Sequence, residues 1–162
     1  MPRTLAVLLD GDLNLWRQVK KRFREWPDSH LILDIMHVAS YLWVAGNALF
    51  GEKKSHDKSR WVQDKLTELL RGRVGYVTGS LRLILAKRSL SESRRKAIQS
   101  TITYFTNHRQ WRRYDAYLAA GLPVATGVIE SVCGSLVKHR MEGNGKRWSV
   151  AGAEAILLLR SM

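Results

Sequence analysis

Three carboxylates stand where chemistry could be done. Asp10 closes one apolar run, Asp34 closes a second, and Glu130 lies far along the chain inside GLPVATGVIESVCGSLVKHRMEGNGKRW, residues 121–148. Two carboxylates held about 4 Å apart repel by roughly 4 kcal/mol at an effective dielectric near 20, so a site that gathers them requires a cation. Oxygen ligands with few imidazoles and no thiolate select Mg2+ or Mn2+ over zinc. A pair of such ions activates a water or a 3′-hydroxyl and stabilises the leaving oxygen when a phosphodiester is attacked in line. Each acid also has a plainer role open to it. Asp10-Gly11 is a common turn dipeptide, Asp34 stands where a helix N-cap belongs, and Glu130 could be an edge residue near the favourable N-terminus of an amphipathic helix.

Around these acids lie further candidates. In Asp34-Ile-Met-His37 the i and i+3 side chains share a helix face, which suits either a metal site or a fixed strand-to-helix junction. Arg109, Trp111, Arg112, Arg113 and Tyr114 interleave cations with aromatics, as surfaces that grip phosphates and stack bases do. Lys138, Arg140, Lys146 and Arg147 follow Glu130 most closely along the chain and are the other candidates for DNA contact. The single cysteine, Cys133, excludes an internal disulfide and fits a reducing compartment, as small core filler or as a reactive thiol.

The elements that must position these groups can be read from hydrophobic spacing. Leu5 to Leu9 is a short continuous apolar run closed by Asp10-Gly11-Asp12, which predicts a buried strand ending in a turn. Leu15, Trp16, Val19 and Phe23 then recur at helical spacing among basic residues, predicting an amphipathic helix from Leu13 to Trp26 that Pro27 stops. His30 to Leu33 is a second strand, and Val38, Leu42, Ala45 and Leu49 mark a second helix ending at Gly51. Strand, helix, strand, helix implies a right-handed crossover and two parallel strands, with Asp10 and Asp34 on one edge. In open α/β sheets that edge is where ligands bind.

From residue 52 to residue 120 strand signals disappear. Val62, Leu66, Leu69 and Leu70 predict a helix closing at Gly72, and a weaker one spans about Ser80 to Arg88. Ser89 to Glu92 has capping-box spacing ahead of a helix with Ala97, Ile98, Ile102 and Phe105 as its apolar stripe, opposite Arg94, Arg95 and Lys96. Trp111, Tyr114 and Leu118 continue the theme up to Gly121. Thr126 then offers an N-cap hydroxyl to a helix running to Met141, on whose Glu130 face lie Gly127, Gly134, Val137 and Met141. Such neighbours leave a carboxylate in need of a proton, a cation or a donor. A last helix spans Val150 to Arg160. Three parts result: 1–51, a partial α/β core; 52–120, a helical insertion; and 121–162, the C-terminal helices carrying Glu130.

Composition narrows the partners. The 162 residues carry 27 Lys and Arg against 14 Asp and Glu, a formal charge of +13, which favours a polyanion and nucleic acid before membrane. The longest apolar stretch, Ala151 to Leu159, falls well short of the roughly 20 residues of a membrane span. Met1-Pro-Arg-Thr does not start a signal peptide, so a cytoplasmic location is expected.

LLDGDLNLW (Leu8 to Trp16), LDIMHVASYLW (Leu33 to Trp43) and GLPVATGVIESVCGSLVKHRMEGNGKRWS (Gly121 to Ser149), followed by AGAEAILLLR, resemble the C-terminal part of bacterial insertion-sequence transposases of the Kra-four type, relatives of the Mutator-like group. The resemblance implies an RNase H-like catalytic domain with an Asp, Asp, Glu triad binding two Mg2+ or Mn2+, the Glu on a helix that follows an all-helical insertion. It makes Asp10 the second Asp and Glu130 the Glu, both metal ligands, and Asp34 with His37 an auxiliary D-x-x-H pair. The family's first catalytic Asp lies upstream of the position matching Leu5, where four residues stand here, and Asp12 replaces what is often a Glu. The expectation is therefore an incomplete RNase H-like fold of the α/β class, mostly helical, with two short parallel strands and a large helical insertion. It is that of a C-terminal fragment of a DDE transposase, which cleaves DNA phosphodiesters and transfers strands in the intact enzyme and is inactive alone. DNA, a second copy or an intact transposase would be its partners. A non-catalytic DNA-binding remnant is the alternative.

Overall fold

The computed structural model describes residues 5–22, 29–51 and 55–127 of the chain. Their order is β1 (Leu5–Leu9), α1 (Leu13–Arg22), β2 (Ser29–Leu33), α2 (Ile35–Phe50), α3 (His56–Leu70), α4 (Val74–Lys87), α5 (Glu92–Asn107), a 3₁₀ turn (Arg109–Trp111) and α6 (Tyr114–Ala119). The described residues are mostly helical, with two short parallel strands in one sheet. Both strands form where the apolar runs place them, in the register Leu5↔Ser29 to Leu9↔Leu33. The Asp34 N–H adds one more rung by donating to the Leu9 carbonyl at 2.9 Å.

Helix α2 is the centre of the packing. Val38, Leu42, Ala45 and Ala48 are buried along it, and it packs on both α3 and α5. Gly46 allows the first contact: a Cβ there would lie 3.2 Å from Val62 Cγ2 on α3. The second contact is pinned by Thr101 of α5, whose hydroxyl donates to the Tyr41 carbonyl at 3.1 Å. With Leu69, Val77, Leu81, Ile98, Ile102 and Phe105, these residues form one apolar cluster that also takes in Ile32 and Leu33 of β2. Burial of such side chains, each about 1.5–3 kcal/mol, is the main force joining strands to helices.

One compact unit therefore runs from Met1 to Ala125, and a second from Thr126 to Met162. The boundary expected between residues 51 and 52 falls inside the first unit, because α3 and α5 share α2 as their apolar support.

Several local readings need correction. Helix α4 starts at Val74, six residues before Ser80, since α3 stops at Leu70 and the chain turns through Gly72 (φ 76°) directly into the next helix. Gly75 and Gly79 weaken its helical signal, but burial of Val77 and Leu81 overrides propensity. The capping box does not form. Ser91, not Ser89, is the N-cap of α5, and it makes no side-chain cap bond. On α1 only Trp16 is fully buried, while Leu15 remains 40% exposed. In α6 the packed residues are Tyr114 and Tyr117, and Leu118 faces outward. The expected end of α1 at Trp26, the helix from Thr126 to Met141 and the helix from Val150 to Arg160 lie wholly or largely outside the described residues. Among the described residues no helix is long and apolar enough to cross a membrane.

Candidate functional site

Asp10 and Asp34 are brought together at the C-terminal edge of the sheet. Each follows the last residue of its strand, and Leu9 and Leu33 are register partners, so the two acids stand on neighbouring strands about 5 Å apart in the backbone. Their side chains are in different states. Asp10 is exposed and accepts from the Asp12 N–H at 3.0 Å through Oδ1. Asp12 in turn caps α1, its Oδ1 accepting from Asn14 N–H at 2.7 Å and Leu15 N–H at 3.2 Å. Asp34 is buried, and its Oδ1 accepts from Met36 N–H at 3.1 Å as the N-cap of α2. Asp34 Oδ2 lies 4.0 Å from Nδ1 of the half-exposed His37, so the D-x-x-H pair is adjacent but too long for a hydrogen bond.

An exposed carboxylate such as Asp10 fits a hard cation as one ligand. One ligand is not a centre, and no group of three or more His, Cys, Asp or Glu able to hold a metal occurs among the described residues. Glu130 lies outside them, as do Cys133, Lys138, Arg140, Lys146 and Arg147. What is described is the approach toward Glu130: Leu122 N–H donates to the Tyr117 carbonyl, and Ile35 N–H donates to the Val124 carbonyl, each at 2.9 Å. The chain that follows α6 is thus fastened to the first residue of α2, next to Asp34.

Sequence reasoning missed the groups that hold this edge from below. Tyr104 Oη donates to the Asp10 carbonyl at 2.9 Å, and His108 Nε2 lies 2.8 Å from the Gly11 carbonyl. His108 Nδ1 lies 2.8 Å from the carbonyl of Tyr104. The Tyr114 hydroxyl donates to the Leu33 carbonyl at 2.8 Å and that of Tyr117 to the Leu31 carbonyl at 3.2 Å. The side chains of α5, of its C-cap His108 and of α6 therefore bind backbone groups of β2 and of the turn after β1. The approach is close enough to require glycine at position 11, where φ is 102° and a Cβ would lie 2.8 Å from Tyr104 Oη. Tyr104 stacks on Tyr41 of α2 with ring centroids 3.7 Å apart. Burial is the first cause that raises the hydroxyl pKa of Tyr104, Tyr114 and Tyr117 above its ordinary value, so all three act as neutral donors. The one signal for this in sequence was the concentration of tyrosines in a basic segment, a pattern that reads equally well as a base-stacking surface.

The arginine cluster separates by burial. Arg109 and Arg113 are exposed and remain available to an anion. Arg112 is not, and its assignment to DNA contact is corrected: it is 2% exposed, and its guanidinium donates to the carbonyls of His108 and Phe105 and lies 4.9 Å over the Phe105 ring. Desolvation pushes its pKa down to about 10. It supports the turn between α5 and α6. Further exposed cations lie on α1 (Arg17, Lys20, Lys21, Arg22) and on the first turns of α5 (Arg94, Arg95, Lys96). A shallow cavity of about 500 Å³ opens between the end of α2 and the start of α5, lined by Asn47, Ala48, Ser93, Arg94 and Ala97 among others. It contains none of the three acids.

No protein-family model matches the chain, and neither a curated protein nor a solved structure matches it.

Proposed function

We propose that the chain carries part of the catalytic domain of a DDE transposase, with an RNase H-like core, and acts in metal-dependent cleavage and strand transfer of DNA phosphodiesters. The observation that supports this most is the meeting of Asp10, Asp34 and the Val124 backbone at one strand edge. Glu130 follows Val124 by six residues in the sequence. Asp10 and Glu130 are the proposed ligands of Mg2+ or Mn2+, which would supply a nucleophilic hydroxide or 3′-alkoxide and offset charge on the leaving oxygen. Asp34 and His37 orient groups beside them, Asp34 doing so from its fixed place at the head of α2. The net charge of +13, with Arg109 and Arg113 exposed, suits a duplex DNA partner.

The test is excision in bacterial cells of a plasmid-borne marker flanked by the DNA that borders the coding sequence, driven by the whole reading frame in which this chain stands. Asp10→Asn and Glu130→Gln are expected to abolish excision while DNA binding by the purified protein persists. Excision at the unaltered level in either variant rejects the assignment. Salt-sensitive DNA binding without excision by any version identifies a binding remnant instead.

A further inference from the structure

We infer that Tyr104 and His108 are positioning residues for Asp10, setting the direction of its carboxylate from the far side of the turn. The inference rests on the reading of Asp10 as a metal ligand. A strand end followed by glycine at φ 102° has little of its own to hold it, since Gly11 is the residue type with most conformational freedom. Yet the carbonyls of Asp10 and Gly11 are both engaged from the end of α5, by Tyr104 at 2.9 Å and by its C-cap His108 at 2.8 Å. Orienting the Asp10 carbonyl fixes the ψ angle of Asp10, and with it the path on which its carboxylate projects. A ligand placed about 1 Å off loses on the order of 100-fold in rate, so backbone control at this position has a chemical consequence.

Both groups are themselves held firmly. The Tyr104 ring is buried against Tyr41, and His108 is buried with Nδ1 against its own helix. The donor role of each His108 ring nitrogen depends on the tautomer, whereas the phenol is a donor without ambiguity. Tyr104 is therefore the group to alter. Asp12 reports the result, because its N–H donates to Asp10 Oδ1 and exchanges with solvent when that carboxylate swings away.

The experiment compares the full chain with Tyr104→Phe, which keeps the stacked ring and removes the hydroxyl, and with His108→Gln and His108→Ala. Amide hydrogen exchange is followed at Asp12 and, as a reference for global opening, on α3. Affinity for Mn2+ alone is measured by titration. Tyr104→Phe is expected to speed exchange at Asp12 about tenfold, the equivalent of one hydrogen bond, to weaken Mn2+ several-fold, and to change exchange on α3 by less than at Asp12. His108→Gln, which retains an N–H for Gly11, should be milder than His108→Ala. If Asp10→Asn abolishes Mn2+ binding while Tyr104→Phe alters neither Mn2+ affinity nor Asp12 exchange, the positioning role is overturned and the metal ligand stands. If Asp10→Asn leaves Mn2+ binding intact, the metal reading fails and the positioning role fails with it. Should Tyr104→Phe speed exchange on α3 equally, its role is overall stability, and the inference is again overturned.

Discussion

Replacing Gly11 with alanine puts the contact between α5 and the turn after β1 under direct load. At φ 102° an alanine is strained by about 1–2 kcal/mol whatever surrounds it. Its Cβ would also lie 2.8 Å from Tyr104 Oη, 3.0 Å from Tyr104 Cε2 and 3.2 Å from His108 Nε2. Tyr104 has no room to withdraw, since its ring is stacked at 3.7 Å on Tyr41. Moving the turn instead breaks the two bonds from α5, each contributing about 1 kcal/mol. The sum is about 3–4 kcal/mol, and at about 2–4 °C per kcal/mol for a chain of this size the melting temperature should fall by roughly 6–16 °C. Gly51→Ala is the control. Its φ is 88°, but the new Cβ meets nothing within 4 Å, so only the strain remains and the fall should be about 2–8 °C. Thermal unfolding followed by circular dichroism separates the two. Equal melting temperatures for Gly11→Ala and Gly51→Ala would refute the close approach of α5 to the strand edge.

Gly75→Ala and Gly79→Ala should act in the opposite direction, because both sites lie within α4, have no positive φ and leave space for a Cβ. Each should stabilise by about 0.5–1 kcal/mol in denaturant unfolding. Asp34→Ala removes the cap of α2 and should cost about 1–2 kcal/mol, whereas Asp34→Ser, which keeps an acceptor, should recover part of the loss in the same measurement. Stability should decline above about pH 10. The raised pKa values of Tyr104, Tyr114 and Tyr117 give a contribution that is complete below the ordinary phenol value of 10.0 and is lost as the pH rises toward their folded values. Arg112, lowered to about 10, works the other way over the same range but is one group against three. Melting temperature against pH, with phenolate absorbance recorded alongside, checks the net direction. In fluorescence anisotropy with duplex DNA, Arg109→Ala and Arg113→Ala should each lower the slope of log affinity against log salt by about 0.9.

Hydrophobic spacing alone determined that strand, helix, strand and helix follow one another from Leu5 and that helices take over after residue 52. Apolar runs such as Leu5 to Leu9 and stripes such as Val38, Leu42 and Ala45 are local patterns, and burial of a continuous face is what selects the element. Two parallel strands, each succeeded directly by an aspartate, Asp10 or Asp34, followed from that order. The start of α4 escaped because glycine lowers local helix propensity, while the burial that outweighs it involves residues on other helices. Tertiary structure alone decided which cations face solvent. Arg112 sits between two arginines of identical type that are exposed, and only the inward-facing carbonyls of Phe105 and His108 distinguish it. It also decided what holds the strand edge. Tyr104 and His108 reach Asp10 and Gly11 from 94 and 97 residues away in sequence, and a bond between a side chain and a distant backbone carbonyl leaves no periodic trace, since every residue type offers the same carbonyl.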